Sequence, residues 1–412
     1  MKNIIKKTCL LLFVCLFIVG NMNPSTAFAQ ETKAFHYVAL GDSITVGFEP
    51  GMNLNTVPYG FVERIYEQAL YNGRADYANY GVGGMTSTGL INYLQAMKDG
   101  KAVTTEEIQP KLVQIDPRLE ERIKQMNTVQ SKIKEADLIT VTIGGNDIRD
   151  LPEVYKQKTK TEFEEIVKTR LGQIDQNVRA SLAILFELNP KATIVLADQY
   201  QPYPHIANMT DKVLFDTLNE MRLQYHSEFQ KIVKEYQTES KKLLLAPVGE
   251  AFVGNEILYT HILRKVPDIH PNQNGYEAIA RVIAETVWGE YKQPSFTDPI
   301  AIIVGGAELD IKDKPVLING RTYLPIREYA EQLGAKVEWE GKTKSAKISY
   351  EDRLATFTSQ AVLRTEDVAT SKFDGNILLY NSKTYVSLRA VAEELGFDVI
   401  YIAKSKTAYI NK

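Results

Sequence analysis

Between residues 36 and 292 the chain alternates short apolar runs with longer amphipathic stretches. Such alternation argues for strands in a parallel sheet flanked by helices. The segments Tyr37–Leu40, Asp76–Tyr80, Leu138–Ile143, Thr193–Ala197 and a weaker Lys242–Leu245 therefore predict a five-stranded parallel sheet with flanking helices, an α/β fold. Open sheets of this kind place ligands at the carboxyl edge of the strands. Two connections are longer than a simple crossover, residues 91–136 and 149–190. They read as solvated helices packed on the sheet, or alternatively as a helical rim shaping a pocket.

Chemistry-bearing residues collect in four short blocks. They are Gly41-Asp42-Ser43-Ile44, Asn79-Tyr80-Gly81-Val82-Gly83-Gly84, Gly144-Gly145-Asn146-Asp147 and Asp268-Ile269-His270-Pro271. Three of the four begin where a predicted strand ends. Acyl transfer needs a nucleophile, a base that takes and returns its proton, and donors for an oxyanion. Ser43 is a candidate nucleophile and His270 a candidate base. Backbone N–H groups at Ser43 and Gly84, with the non-titrating amide of Asn146, are candidate oxyanion donors. Read singly, each has a plainer explanation: Ser43 as a helix N-cap, Gly84 as a turn, Asn146 as an Asx-turn. Of the other histidines, His36 precedes the first strand and His226 lies in a charged helix, so both read as surface residues. His205 follows the segment Gln199 to Pro204, which resembles the strand-four loop of a known family, and on that resemblance it is expected to border the pocket.

Taken in order, the four blocks resemble those of the SGNH hydrolases, the GDSL esterase/lipase family, over about residues 35–292. The resemblance implies a flavodoxin-like sheet and a serine esterase acting through an acyl-serine intermediate, without metal or cofactor. The family usually carries an aspartate three residues before the histidine, but here that position is Pro267 and the aspartate is Asp268, two before. Either Asp268 orients the imidazole through an altered loop, or a backbone carbonyl does and the pair works as a dyad. Gly83 and Met85 also depart from the family, where a serine and a polar residue are common. The local pattern looks closest to lysophospholipase-like esterases, with small acyl, acetyl or lipid esters as substrates and a cell-wall polysaccharide O-acetylesterase as the alternative. A rival of another class is a surface-binding protein on a degenerate hydrolase scaffold, favoured only by the shifted aspartate.

The ends of the chain carry separate expectations. Lys2, Lys6 and Lys7, the apolar run Cys9–Gly20 and the Ala27-Phe28-Ala29 pattern read as a signal peptide over residues 1–29. The alternative reading of the segment is an uncleaved membrane anchor. With cleavage, the mature chain would begin near Gln30, lack both Cys9 and Cys15, and carry no transmembrane helix. That is the profile of a secreted or cell-wall-associated, Gram-positive bacterial protein. A chain of 412 residues is long for one core. A break at 293–298 reads as a linker between the hydrolase (30–292) and a small α+β domain over 299–412. Within the latter, Asn319–Tyr350 aligns with Asn381–Lys412 with 13 of 32 positions identical, an internal repeat. The pattern Asn-Gly-Arg-Thr-Tyr-Leu-Pro-Ile-Arg followed by Glu-x-Leu-Gly looks like the copper amine oxidase N-terminal-like domain of bacterial surface proteins. No histidine, cysteine or methionine lies in it, so the residues argue against copper and for an accessory module that contacts a wall or surface. A net charge of −3 gives no basic excess for nucleic acid.

Overall fold

The strands form where the sequence pattern puts them, within two residues at each end. They are β1 (Phe35–Gly41), β2 (Ala75–Asn79), β3 (Leu138–Thr142), β4 (Thr193–Ala197) and β5 (Leu243–Ala246). They pair in parallel in the order β2-β1-β3-β4-β5. The computed structural model describes residues 33–206, 211–295, 299–358, 361–363 and 375–412. The expected signal peptide with Cys9 and Cys15, and half of the expected linker, lie outside the described residues.

Alternate side chains of each strand enter two separate cores, as the pleat requires. Val38, Leu40, Ile139, Val141, Ile194 and Leu196 face a layer that includes the helices Ser87–Lys98, Met126–Glu135, Lys160–Leu188 and Lys212–Thr238. Tyr37, Ala39, Leu138, Val195 and Ala197 face the helices Phe61–Leu70 and Gln273–Trp288. Both faces of the sheet are thus dry, which is why its strands read as nearly continuous apolar runs. The connection 91–136 sets three short helices, Thr105–Ile108, Leu112–Ile115 and Arg118–Lys124, between Ser87–Lys98 and Met126–Glu135, rather than one long crossover helix. Among the described residues no helix is long and apolar enough to cross a membrane.

The C-terminal part is rich in β-structure. The two aligned stretches share one element order: a strand (Arg321–Pro325, Lys383–Ser387), a short helix (Ile326–Gln332, Leu388–Glu394) and an antiparallel hairpin. The first strands of the two stretches pair with each other, antiparallel, from Tyr323 against Ser387 to Pro325 against Tyr385. Helix residues Tyr329, Ala330, Val391 and Ala392 share one apolar core. The last strand, Thr407–Asn411, pairs in parallel with Ala301–Val304, and Ile303 and Tyr409 join the same core as Phe61, Tyr71 and Tyr276. Residues Lys33–Lys412 accordingly form one compact unit.

Candidate active site

Strand β1 delivers Ser43 to the carboxyl edge of the sheet. Gly41 ends the strand at φ +145°, and a Cβ there would lie 2.1 Å from the Thr142 carbonyl oxygen of the neighbouring strand. Only glycine permits that approach. Asp42 follows, 2% exposed, and its carboxylate accepts the N–H of Ile44 at 3.0 Å as the N-cap of the short helix Ser43–Val46. Burial raises the Asp42 pKa to about 7. Thr45 and Thr142 hydroxyls meet at 2.6 Å and fasten this turn to β3.

His270 arrives from the chain between β5 and the helix Gln273–Trp288. Its Nε2 lies 2.8 Å from Ser43 Oγ, and its Nδ1 lies 2.8 Å from Asp268 Oδ1. A carboxylate only accepts, so Nδ1 carries the proton and Nε2 is free to accept from the serine hydroxyl. The same Asp268 oxygen accepts the backbone N–H of His270 at 2.8 Å. This is an Asx-turn, and it explains how an aspartate two residues away reaches the ring. The imidazole packs on Phe48 with ring centroids 4.6 Å apart, and Tyr200 donates to the Ile269 carbonyl at 2.9 Å. Burial lowers the His270 pKa from its ordinary value, and the Asp268 carboxylate opposes that shift.

Asn146 is the second residue of the short helix Gly145–Ile148 after β3. Its amide nitrogen donates to the Met85 carbonyl at 3.0 Å, which ties the loop 81–85 against it. Within that loop Gly84 sits at φ +82° beneath Leu112 and Ile115, and its carbonyl accepts from Gln109 at 3.0 Å. The N–H of Gly83 is taken by Asp116 at 2.6 Å, whereas that of Gly84 has no partner among the described residues. Asp147 accepts from both the N–H and the hydroxyl of Ser87, at 2.9 and 2.6 Å, and burial raises its pKa. It holds the start of the helix Ser87–Lys98 and does not line the cleft.

Ser43, Asn146 and His270 line a single cleft of about 270 Å³ that is mainly apolar, whereas Gly84 and Asp268 are not among its lining residues. Ile148, Pro152, Tyr203, Leu218, Met221 and Tyr225 form its apolar walls. Part of the 149–190 connection therefore does form a rim, as Arg149 and Pro152. His205 is not among the lining residues; it packs on Phe215, with ring centroids 5.2 Å apart. His226 is no free surface residue either: its Nδ1 lies 2.5 Å from Asp198, a carboxylate 4% exposed that also accepts from Gly249. Sequence reasoning missed Gln199 and Tyr225, which brace the carbonyl of Ile143 at 3.0 and 2.6 Å. The position of Gln199 after the end of β4 was the available signal, while Tyr225 lies mid-helix and gave none.

Comparison with known proteins identifies two families along the chain. Residues 39–278, more than half of the chain, match the GDSL-like Lipase/Acylhydrolase family, and residues 303–410 match the Copper amine oxidase N-terminal domain. The latter span has no histidine, cysteine or methionine, so its donor set does not fit copper. The uncharacterized protein YpmR of Bacillus subtilis is 25% identical over 275 residues, 63% of this chain and 85% of that protein. The spore germination lipase LipC of Bacillus licheniformis is 23% identical over 259 residues, 61% of this chain and 96% of LipC. Among solved structures, the lipase Lip_vut3 from a goat rumen metagenome aligns with a TM-score of 0.43 at 20% identity, covering 63% of this chain and 100% of that one. The chain belongs to the GDSL-like lipase/acylhydrolase family and is a carboxylic ester hydrolase.

Proposed function

We propose that Ser43 is the nucleophile, His270 the general base and then acid, and Asp268 the group that orients the imidazole. The observation that carries this reading is the unbroken relay from Ser43 Oγ through both ring nitrogens to Asp268, with both distances 2.8 Å. Ser43 Oγ attacks the ester carbonyl carbon as Nε2 takes its proton. The N–H groups of Ser43 and Gly84 and the second amide hydrogen of Asn146 receive the oxyanion. Collapse expels the alcohol, which takes the proton from Nε2, and leaves an acyl-serine. Water, deprotonated by the same nitrogen, then releases the acid. Asp268 accepts from Nδ1 throughout and stabilises the imidazolium.

The apolar walls favour an aliphatic acyl chain over acetyl, and so a lysophospholipid-like or medium-chain ester over a polysaccharide acetyl ester. The expected signal peptide supports action outside the cell, and residues 299–412 act as an accessory module on the hydrolase. The test is hydrolysis of p-nitrophenyl acetate, butyrate and octanoate, with fluorophosphonate labelling of the serine. Ser43→Ala should abolish both turnover and labelling while the circular dichroism spectrum is unchanged. Full turnover in Ser43→Ala would overturn the assignment. Preference for acetate over octanoate would overturn the acyl-chain reading alone.

A further inference from the structure

The polypeptide just before the catalytic histidine is unusually apolar for a surface. Val253, Ile257, Leu258, Leu263 and Val266 are 49, 45, 55, 65 and 78% exposed, five large aliphatic side chains within one short stretch. Soluble domains rarely leave such residues in a cluster, and when they do the cluster meets a partner. The most exposed two flank Arg264 and Lys265, giving Leu263-Arg264-Lys265-Val266 at a loop tip. Neither basic side chain has an ion-pair or hydrogen-bond partner among the described residues. In a chain of net charge −3 this basic pair is a local feature, not part of a general excess.

The base of the loop is built. The N–H groups of Arg264 and Asp268 both donate to the His261 carbonyl, at 3.1 and 3.3 Å, and the N–H of His261 donates to the His270 carbonyl at 3.1 Å. The tip is thus carried on a closed loop whose far strand holds Asp268 and His270. Glu49 joins a second loop to it, accepting from His261 at 3.1 Å and from Gln273 at 2.8 Å. That second loop bears Leu54 and Val57, 59 and 80% exposed. Aliphatic tips interleaved with unpaired cations are the chemistry of a segment that enters the headgroup region of an anionic lipid layer.

We propose that the loop His261–Asp268 docks on an anionic lipid surface, which brings the Ser43–His270 cleft to acyl esters held in that surface. The proposal rests on the esterase reading for its consequence, but the docking itself is measured without turnover. The unit Lys33–Lys412 is sedimented with vesicles of phosphatidylcholine alone or of equimolar phosphatidylcholine and phosphatidylglycerol. Uptake is expected on the anionic vesicles only. The double substitution Arg264→Gln with Lys265→Gln should lower it by on the order of tenfold or more, and Leu263→Ser with Val266→Ser should abolish it. Turnover of soluble p-nitrophenyl acetate should be unchanged in all variants, which also reports that they are folded. No uptake by the wild-type unit, or uptake untouched by the substitutions, overturns the proposal. A dimer lost on Leu263→Ser with Val266→Ser, without vesicle uptake, would assign the patch to a second copy and overturn it equally. Vesicle uptake without turnover of p-nitrophenyl acetate, butyrate or octanoate would leave docking in place and remove the Ser43–His270 esterase reading.

Discussion

Ser43 and His270 are 227 positions apart, yet their contact leaves each in a fixed protonation role. The imidazole must be neutral to accept the serine proton, so activity falls as the pH drops through its pKa. Burial lowers that pKa, which places the acid limb of the kcat/KM profile below the ordinary histidine value. The Asp268 carboxylate works in the opposite direction by stabilising the imidazolium. Asp268→Asn should therefore move the acid limb to still lower pH and reduce kcat by about 10³- to 10⁴-fold, through loss of the correct tautomer. A pH profile with p-nitrophenyl butyrate measures both effects. An unchanged limb and kcat would mean that a backbone carbonyl orients the ring. The identity of Ser43, His270 and Asn146 as candidates was legible from residue type and order alone. The reach of Asp268 was not, because it depends on an Asx-turn that also engages the His270 N–H, and a two-residue spacing does not announce that geometry.

At the scale of elements, the site depends on how β1 stops and the next turn starts. Gly41→Ala would press a methyl group against the Thr142 carbonyl oxygen and should destabilise the fold by about 2–4 kcal/mol. Urea unfolding measures the loss, and fluorophosphonate labelling should fall with it as Ser43 is displaced. Asp42 couples the same turn to pH. Its folded pKa is raised by burial to about 7 from 3.8, so the folded chain keeps the proton where the unfolded chain has already released it. Its contribution is complete below pH 3.8, declines as pH rises, and is gone once pH passes about 7. Asp42→Asn keeps an N-cap acceptor for Ile44 but cannot ionise, so its Tm should fall less steeply than the wild type's between pH 4.5 and 7.5, roughly the window the two pKa values set. A parallel decline in both proteins would reject the account. The strands were readable because both faces are buried and their apolar runs are continuous. The short helices between residues 105 and 124 were not, since each has only a turn or two and no sustained period.

At the scale of the whole molecule, a break in pattern at 293–298 suggested two modules joined by a linker, but the contacts across that break are dry and specific. Tyr409, 1% exposed, donates to Glu67 at 3.0 Å on the helix Phe61–Leu70, and Tyr59 donates to the other oxygen of the same carboxylate at 2.7 Å. Asn411 donates to the carbonyls of Leu70 and Gly73, at 2.9 and 3.0 Å, and so closes the C-terminal end of that helix. Tyr71 meets Tyr409 edge to face at 5.3 Å. A sequence cannot announce such an interface, because its residues are apolar and polar in the proportions of an ordinary strand. The helix so anchored packs against β1 and the helix that follows His270, and thus belongs to the scaffold that spaces Ser43 and His270. Removing the terminal strand should accordingly loosen the hydrolase itself. Tyr409→Ala is expected to cost about 3–5 kcal/mol from the lost core volume, and Asn411→Ala about 1 kcal/mol from the lost caps. In calorimetry the unit Lys33–Lys412 should melt in one transition coincident with loss of esterase activity, and Tyr409→Ala should move both together. Two transitions in the wild type, with Tyr409→Ala shifting only the one that leaves activity intact, would instead mean that the C-terminal module is carried by the enzyme without supporting it.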